Sequence, residues 1–351
     1  MTKVLITGCA GFIGSQLVER CIHEGHEVHG IDNLSRKGTT HNLTHLKSIG
    51  ASSSFNFEQF DLSDSKKLNL FFKKFGPFDW IGHEAGQVAV TTSLDSPLHD
   101  FQSNAHVTLI LLEAVRNHSS DSKMIFASTN KVYGSLTNVE VLEQEKRYSF
   151  KDDFPGINES QPLDFHSPYG CSKGSADQYV CDYARSFGLK TAVLRQSCIY
   201  GTRQFGLEDQ GWVAWFLIAS ALGRPITVYG NGKQVRDLLW IDDLCNLYLK
   251  IWEKNDFAWG TPLNVGGGMQ NTLSLLELFD LMDQLKISVG NQTFAKWRKG
   301  DQKIFCSDNS SALSMLGWSP SVGTREGIER LSVWIEQNLN EIELLLNSST
   351  H

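Results

Sequence analysis

A short stretch near the start of the chain narrows its possible folds more than any other. Val4-Leu5-Ile6 is an unbroken apolar run, and Gly8-Cys9-Ala10-Gly11-Phe12-Ile13-Gly14 follows it at once. Ile13, Leu17, Val18 and Cys21 then recur at helical spacing, so the pattern predicts a buried strand, a glycine turn and a helix. Such a turn lets backbone N–H groups approach a pyrophosphate, whose charge a helix N-terminus favours. The spacing is G-x-x-G-x-x-G rather than G-x-G-x-x-G, so the turn needs support from the rest of the chain.

Strand patterns recur at residues 27–31, 55–60, 80–83, 124–127 and 190–195, with helical patterns between them. That alternation predicts an α/β chain on a doubly wound parallel sheet. Asp32 ends the second strand, eighteen residues after Gly14. A carboxylate there accepts hydrogen bonds from both ribose hydroxyls and repels a 2′-phosphate, favouring NAD over NADP. Arg36 and Lys37 soften the preference, reading either as solvated loop charges or as partners for that phosphate. Asp61-Leu62 ends the third strand, where Asp61 meets the adenine end of a dinucleotide or caps the next helix. At Ala85-Gly86-Gln87 a cofactor has room to pass close to backbone. Asn104 falls in a helix expected over 101–115, and Ser128-Thr129-Asn130 follows the fifth strand, at the sheet edge where ligands bind.

Tyr169 and Lys173 stand four apart, so a helix places both on one face, and the ammonium is expected to depress the phenol's pKa. Ser167 and Pro168 supply an N-cap and a first helical residue. Thr129 completes a proton-handling set by bonding a substrate hydroxyl. Residues 135–166 read as a polar excursion without periodicity. Beyond residue 195 the alternation loosens, and Arg236 and Arg298 offer guanidinium forks for a diphosphate or ion pairs with neighbouring aspartates. Trp212 and Trp215 share a helix face and read as core or as a stacking platform.

Net charge is −7 without a Lys/Arg run, which disfavours a nucleic-acid partner. The seven cysteines are scattered singly, as reduced thiols rather than metal ligands. Met1 leads directly into the first strand and no apolar run approaches the ~18 residues of a membrane span, so no membrane partner and a cytoplasmic location are expected.

With Gly8, Gly11, Gly14, Asp32, Thr129, Tyr169 and Lys173 in this order, the chain resembles the extended short-chain dehydrogenase/reductase family of nucleotide-sugar epimerases from residue 1 to about 338. The resemblance implies a seven-stranded Rossmann sheet with a smaller C-terminal substrate-binding lobe. It places an NAD-binding domain at 1–195, with 236–266 returning to it, and a discontinuous nucleotide-sugar lobe at 196–345. Longer runs, among them 32–38, 85–89, 128–134, 163–174 and 203–212, resemble its CDP-hexose 2-epimerases. By that resemblance Thr129, Tyr169 and Lys173 are catalytic. NAD would be held at the first turn by Gly8, Gly11, Phe12, Ile13 and Gly14, and beyond the next strands by Asp32, Asn33, Ser35, Arg36, Asp61 and Leu62. Ala85, Gly86, Gln87, Asn104 and Ser128, with Tyr169 and Lys173, would complete the cofactor site. Gln87, Thr129, Gln204, Trp212, Tyr229, Arg236 and Arg298 would hold a nucleotide sugar. Dehydratases of this superfamily carry Asp-Glu after the catalytic Thr; here Asn130-Lys131 stands there, and neither side chain is a carboxylic acid able to drive elimination. A UDP-hexose 4-epimerase would use the same three residues, and a catalytically silent dinucleotide sensor is the remaining alternative. The resemblance also implies a homo-oligomer, a dimer or tetramer, with apolar stripes at 109–112 and 179–183 as its interface.

Overall fold

The computed structural model describes residues 1–50, 54–298 and 300–347. Strands β1 (Lys3–Thr7), β2 (Glu27–Asp32), β3 (Phe55–Gln59), β4 (Trp80–His83) and β5 (Lys123–Thr129) join the strands Lys190–Gln196 and Pro262–Val265 in a seven-stranded sheet. The spatial order is Pro262–Val265, Lys190–Gln196, β5, β4, β1, β2, β3. All four pairings from β3 through β2, β1 and β4 to β5 are parallel. The chain winds outward from β1 to β3 and restarts at β4 on the other side, so β1 and β4 flank the switch point where such sheets bind ligands.

Both faces of this sheet are covered, so its strands are continuous apolar runs: Val4, Leu5 and Ile6 have no exposed surface. One face packs Leu5, Ile81 and Phe126 against Phe71, Phe72 and Phe78 and against Leu111, Leu112 and Val115. Burying each such side chain contributes about 1.5–3 kcal/mol. Of the expected stripes, Leu111, Leu112 and Tyr183 are core while Tyr179 is exposed; Phe187 on the helix Ser167–Phe187, and Leu98 and Phe101 on the helix Pro97–Phe101, are exposed as well.

The chain divides into two compact units, one of Met1–Val132, Phe165–Arg195 and Cys245–Leu263, the other of Tyr133–Asp164, Gln196–Leu244 and Asn264–His351. Residues 133–164, expected with the dinucleotide-binding part, belong to the second unit. They carry the hairpin Val141–Glu143/Tyr148–Phe150, Tyr148 donates its N–H to the Lys233 carbonyl, and Asp308 donates to Ile157. The return to the first unit starts at Cys245 rather than 236, because Val235–Trp240 pairs with Cys198–Tyr200, Thr272–Ser274 and Ile304–Phe305 within the second unit. From Cys245 on, Trp252 stacks on Trp80 of β4, ring centroids 5.2 Å apart.

The helix expected over 101–115 is broken into three parts: Pro97–Phe101, a π-helical turn at Gln102–His106, and Val107–His118. Propensity does not signal this turn; Asn104, buried within it, bonds Asp100 one turn earlier and Ser172 far along the chain.

Candidate active site

At the mouth of β1, Gly8 takes φ +67°, and a Cβ there would lie 2.6 Å from the Ala85 nitrogen. A Cβ on Gly14 would collide with the Gly8 carbonyl. Gly11 is the N-cap of the helix Phe12–His23, whose N-terminus no side chain caps. The first helical N–H groups, at Phe12 and Ile13, thus lack a side-chain acceptor, which suits a phosphate. Asp32 closes the turn, accepting from the Ala10 N–H at 3.0 Å and the Leu34 N–H at 2.7 Å. Burial holds its carboxyl above the usual range despite those bonds. Between the ends of β2 and β3, Asn33 Nδ2 donates to Asp61 at 2.7 Å, and the Ser35 N–H donates to Asn33 at 3.1 Å. Burial opposes ionisation of Asp61, but bonds from Ser63 and Asn33 outweigh it and keep the carboxyl low. Leu62 is core and Arg36 is exposed. A glycine cradle, an uncapped helix start and anchored carboxylates fit a dinucleotide.

The candidate proton-handling side chains lie along the same sheet edge, beyond β5. Thr129 ends β5, and Tyr169 and Lys173 occupy the first turns of the helix Ser167–Phe187, with Pro168 near its start. Ser167, at φ +64°, accepts the Gly170 N–H at 3.2 Å and so caps the helix as expected. All three catalytic candidates are buried. The Tyr169 phenol is pushed up to about 12, first by burial and also by the Asp100 charge, against a hydrogen bond from Thr129 and the Arg36 charge. Lys173 does not contribute, so the expected depression of the phenol is absent. Its ammonium donates to the Ala127 carbonyl and sits 4.3 Å over the Phe126 ring. Burial lowers Lys173 to about 8, opposed by Glu84, Asp177 and Asp100. At neutral pH the pair is therefore a protonated phenol and an ammonium.

Asp100, which sequence reasoning missed, has no exposed surface and ties this end together. It accepts from the Ser172 hydroxyl, from Gln87 Nε2 at 2.9 Å and from Asn104 Nδ2 at 3.3 Å. Asn104 also donates to Ser172 at 3.1 Å. The nitrogens of Gln87 and Asn104 are thus engaged, while Asn104 Oδ1 is buried without a partner beside Gly86, where a Cβ would approach it to 2.6 Å. Ser128 donates to Asp177, which Arg195 grips through both oxygens at 2.9 Å. Asp100 precedes Asn104 by one helical turn and Ser172 lies between Tyr169 and Lys173; those spacings were the available signal.

In the second unit, Arg298 stacks 4.0 Å over Tyr229 and donates to Asp209 at 3.1 Å. Arg236 pairs with Asp301 and donates to the Gln302 carbonyl at 2.9 Å. Trp212 packs edge-on against Phe216, and Gln204 donates to the Ile199 carbonyl at 3.3 Å. Among the described residues no three His, Cys, Asp or Glu side chains converge as metal ligands. No helix there is long and apolar enough to cross a membrane.

Known proteins match the chain along nearly its whole length. It is 44% identical over 337 residues to a CDP-paratose 2-epimerase of Salmonella typhi, covering 95% of this chain and 98% of the relative. A UDP-glucose 4-epimerase of Thermotoga maritima, solved with UDP-glucose, is 29% identical, with TM-score 0.81 and coverage of 96% and 99%. A UDP-glucuronic acid 4-epimerase of Bacillus cereus, solved with UDP-glucuronic acid and NAD, is 27% identical, with TM-score 0.81 and coverage of 95% and 99%. The model of the GDP-mannose 4,6 dehydratase family matches residues 5–331, and the chain belongs to that family.

Proposed function

We propose that this chain is an NAD-dependent 2-epimerase of a CDP-hexose, converting CDP-paratose to CDP-tyvelose. The carrying observation is that Thr129, Tyr169 and Lys173 are buried together, with Asn130-Lys131 following Thr129, a site equipped for proton transfer at a hydroxyl but without the carboxylic acid that elimination needs. The 44% identity to a CDP-paratose 2-epimerase supports the substrate over a UDP-hexose.

C2 of such a sugar is not adjacent to a carbonyl, so a base cannot invert it directly and oxidation to a 2-keto sugar comes first. The chemistry NAD supplies when bound is reversible acceptance of hydride at C2. Gly8, Gly11, Gly14, Asp32 and Asp61 would hold it. Tyr169 exchanges the proton of the C2 oxygen, as base during oxidation and as acid during reduction. Thr129, at the end of β5, would orient that oxygen, and Lys173 supplies positive charge and a donor. Arg236 and Arg298 would anchor the diphosphate, with Gln204, Trp212 and Tyr229 around the nucleotide. The first unit is then the NAD-binding domain and the second the nucleotide-sugar lobe. Exposed Leu98, Phe101, Tyr179 and Phe187 support a homo-oligomer, and the chain would work in the cytoplasm on a soluble substrate.

Incubating the purified protein with CDP-paratose in D2O and following C2 by proton NMR tests this reading. Interconversion without deuterium at C2 is expected. Inert CDP sugars with an active UDP-hexose would overturn the substrate, and deuterium at C2 would overturn the mechanism.

A further inference from the structure

β4 and β5 run parallel with His83 opposite Phe126. The next residue on each strand is therefore Glu84 on one side and Ala127 on the other. Ala127 is the residue whose carbonyl holds the Lys173 ammonium. Glu84 thus leaves the sheet one strand away from the point where Lys173 is tethered. Tyr248 donates its hydroxyl to Glu84 Oε1 at 2.6 Å, whereas Oε2 is shielded from water and has no hydrogen-bond partner. A carboxylate oxygen buried in this way is unfavourable unless a nearby cation offsets it.

Four other groups face Lys173 or its partners. Asp177, one turn along the same helix, is already paired with Arg195 through both oxygens. Asp100, from the helix Pro97–Phe101, takes donors from Ser172, Gln87 and Asn104. His83, on β4, is engaged by Thr7 and Thr108, and its ring stays neutral because burial and then Lys173 lower it to about 3. Arg195 is used up on Asp177. Of the three carboxylates that raise Lys173, Glu84 acts most strongly, and one of its oxygens has no hydrogen-bond partner. Burial raises Glu84 to about 7, opposed by the Tyr248 bond and by Lys173.

We propose that Glu84 is a positioning residue that keeps the buried Lys173 charged, so that the Tyr169 helix presents an ammonium rather than a neutral amine throughout the working pH range. The proposal rests on Lys173 being the catalytic lysine. In the wild type, the depressed Lys173 makes the substrate-free fold gain stability as pH rises from about 8 toward the ordinary lysine range. The raised Glu84 makes it lose stability as pH rises from the ordinary glutamate range to about 7.

Glu84→Gln keeps an acceptor for Tyr248 and removes the charge. Without its counter-charge, Lys173 deprotonates earlier, so the alkaline limb of the epimerisation rate should move down by about one pH unit or more. In the substrate-free protein, the thermal midpoint should lose its decline toward pH 7 and begin its alkaline rise correspondingly lower. Tyr248→Phe removes a bond that helps hold Glu84 ionised but leaves the carboxylate, so its alkaline limb should move less than that of Glu84→Gln. An unmoved alkaline limb and stability rise in Glu84→Gln, or an equal movement in Tyr248→Phe, overturns the proposal. Should the wild type turn over no nucleotide sugar, the functional reading fails, and the substrate-free stability profiles still decide the role of Glu84.

Discussion

Two neighbouring stretches of one sheet edge in the first unit, beyond β1 and beyond β5, are built from different materials. At the β1 turn the work is done by backbone: Gly8 supplies a left-handed φ, Gly14 admits the Gly8 carbonyl, and Asp32 takes two backbone N–H groups. At the β5 end the work is done by buried side chains whose charges depend on one another: Tyr169, Lys173, Asp100, Asp177 and Glu84. A backbone site tolerates few residue types, and here it titrates through Asp32 alone. A site of buried ionisable groups tolerates isosteric change but shifts its titration with each neighbour.

The comparison breaks most visibly at Tyr169. Tyr169→Phe leaves the packing and deletes the exchangeable proton, so turnover followed by NMR should fall by ~10²-fold or more while the thermal midpoint stays near the wild-type value. Wild-type turnover in that variant would remove Tyr169 from the chemistry. Next in size is Gly14→Ala, which forces a methyl against the Gly8 carbonyl and should destabilise the fold by about 1–3 kcal/mol. Bound NAD, measured after denaturing release, should drop in parallel, because the turn cannot close without moving the helix start. Retained stability and cofactor would show that the turn has slack. The smallest effect is expected for Asp100→Asn, which keeps an acceptor for Ser172 and removes a charge that raises the phenol. The Tyr169 titration, read by tyrosinate absorbance, should move down from about 12 by roughly one unit. An unshifted titration would make Asp100 a purely structural tie.

Much of the backbone end was legible in order along the chain. The apolar run, the glycines and the acidic residue after β2 are close in sequence, and each has a local conformational consequence. The order of Thr129, Tyr169 and Lys173 was legible too, as was the Ser167 cap. What the spacing suggested wrongly was the electrostatics: Lys173 next to Tyr169 implied a depressed phenol, yet burial dominates and the ammonium is directed to Ala127. The π-helical turn at Gln102–His106 was invisible as well, because the contact of Asn104 with Ser172 arises only after the helices have packed. In the second unit, polar composition hid the hairpin in residues 133–164, whose backbone partners lie far along the chain at Lys233 and Asp308.

The sequence by itself determined the strand and helix alternation, the glycine turn and the helical spacing of Tyr169 and Lys173, because periodicity and backbone freedom are properties of near neighbours. Only the tertiary structure decided which of those residues carry charge. Burial and the convergence of Glu84, Asp100 and Asp177 on Lys173 are sums over residues distant in the chain, and a protonation state follows that sum rather than any spacing.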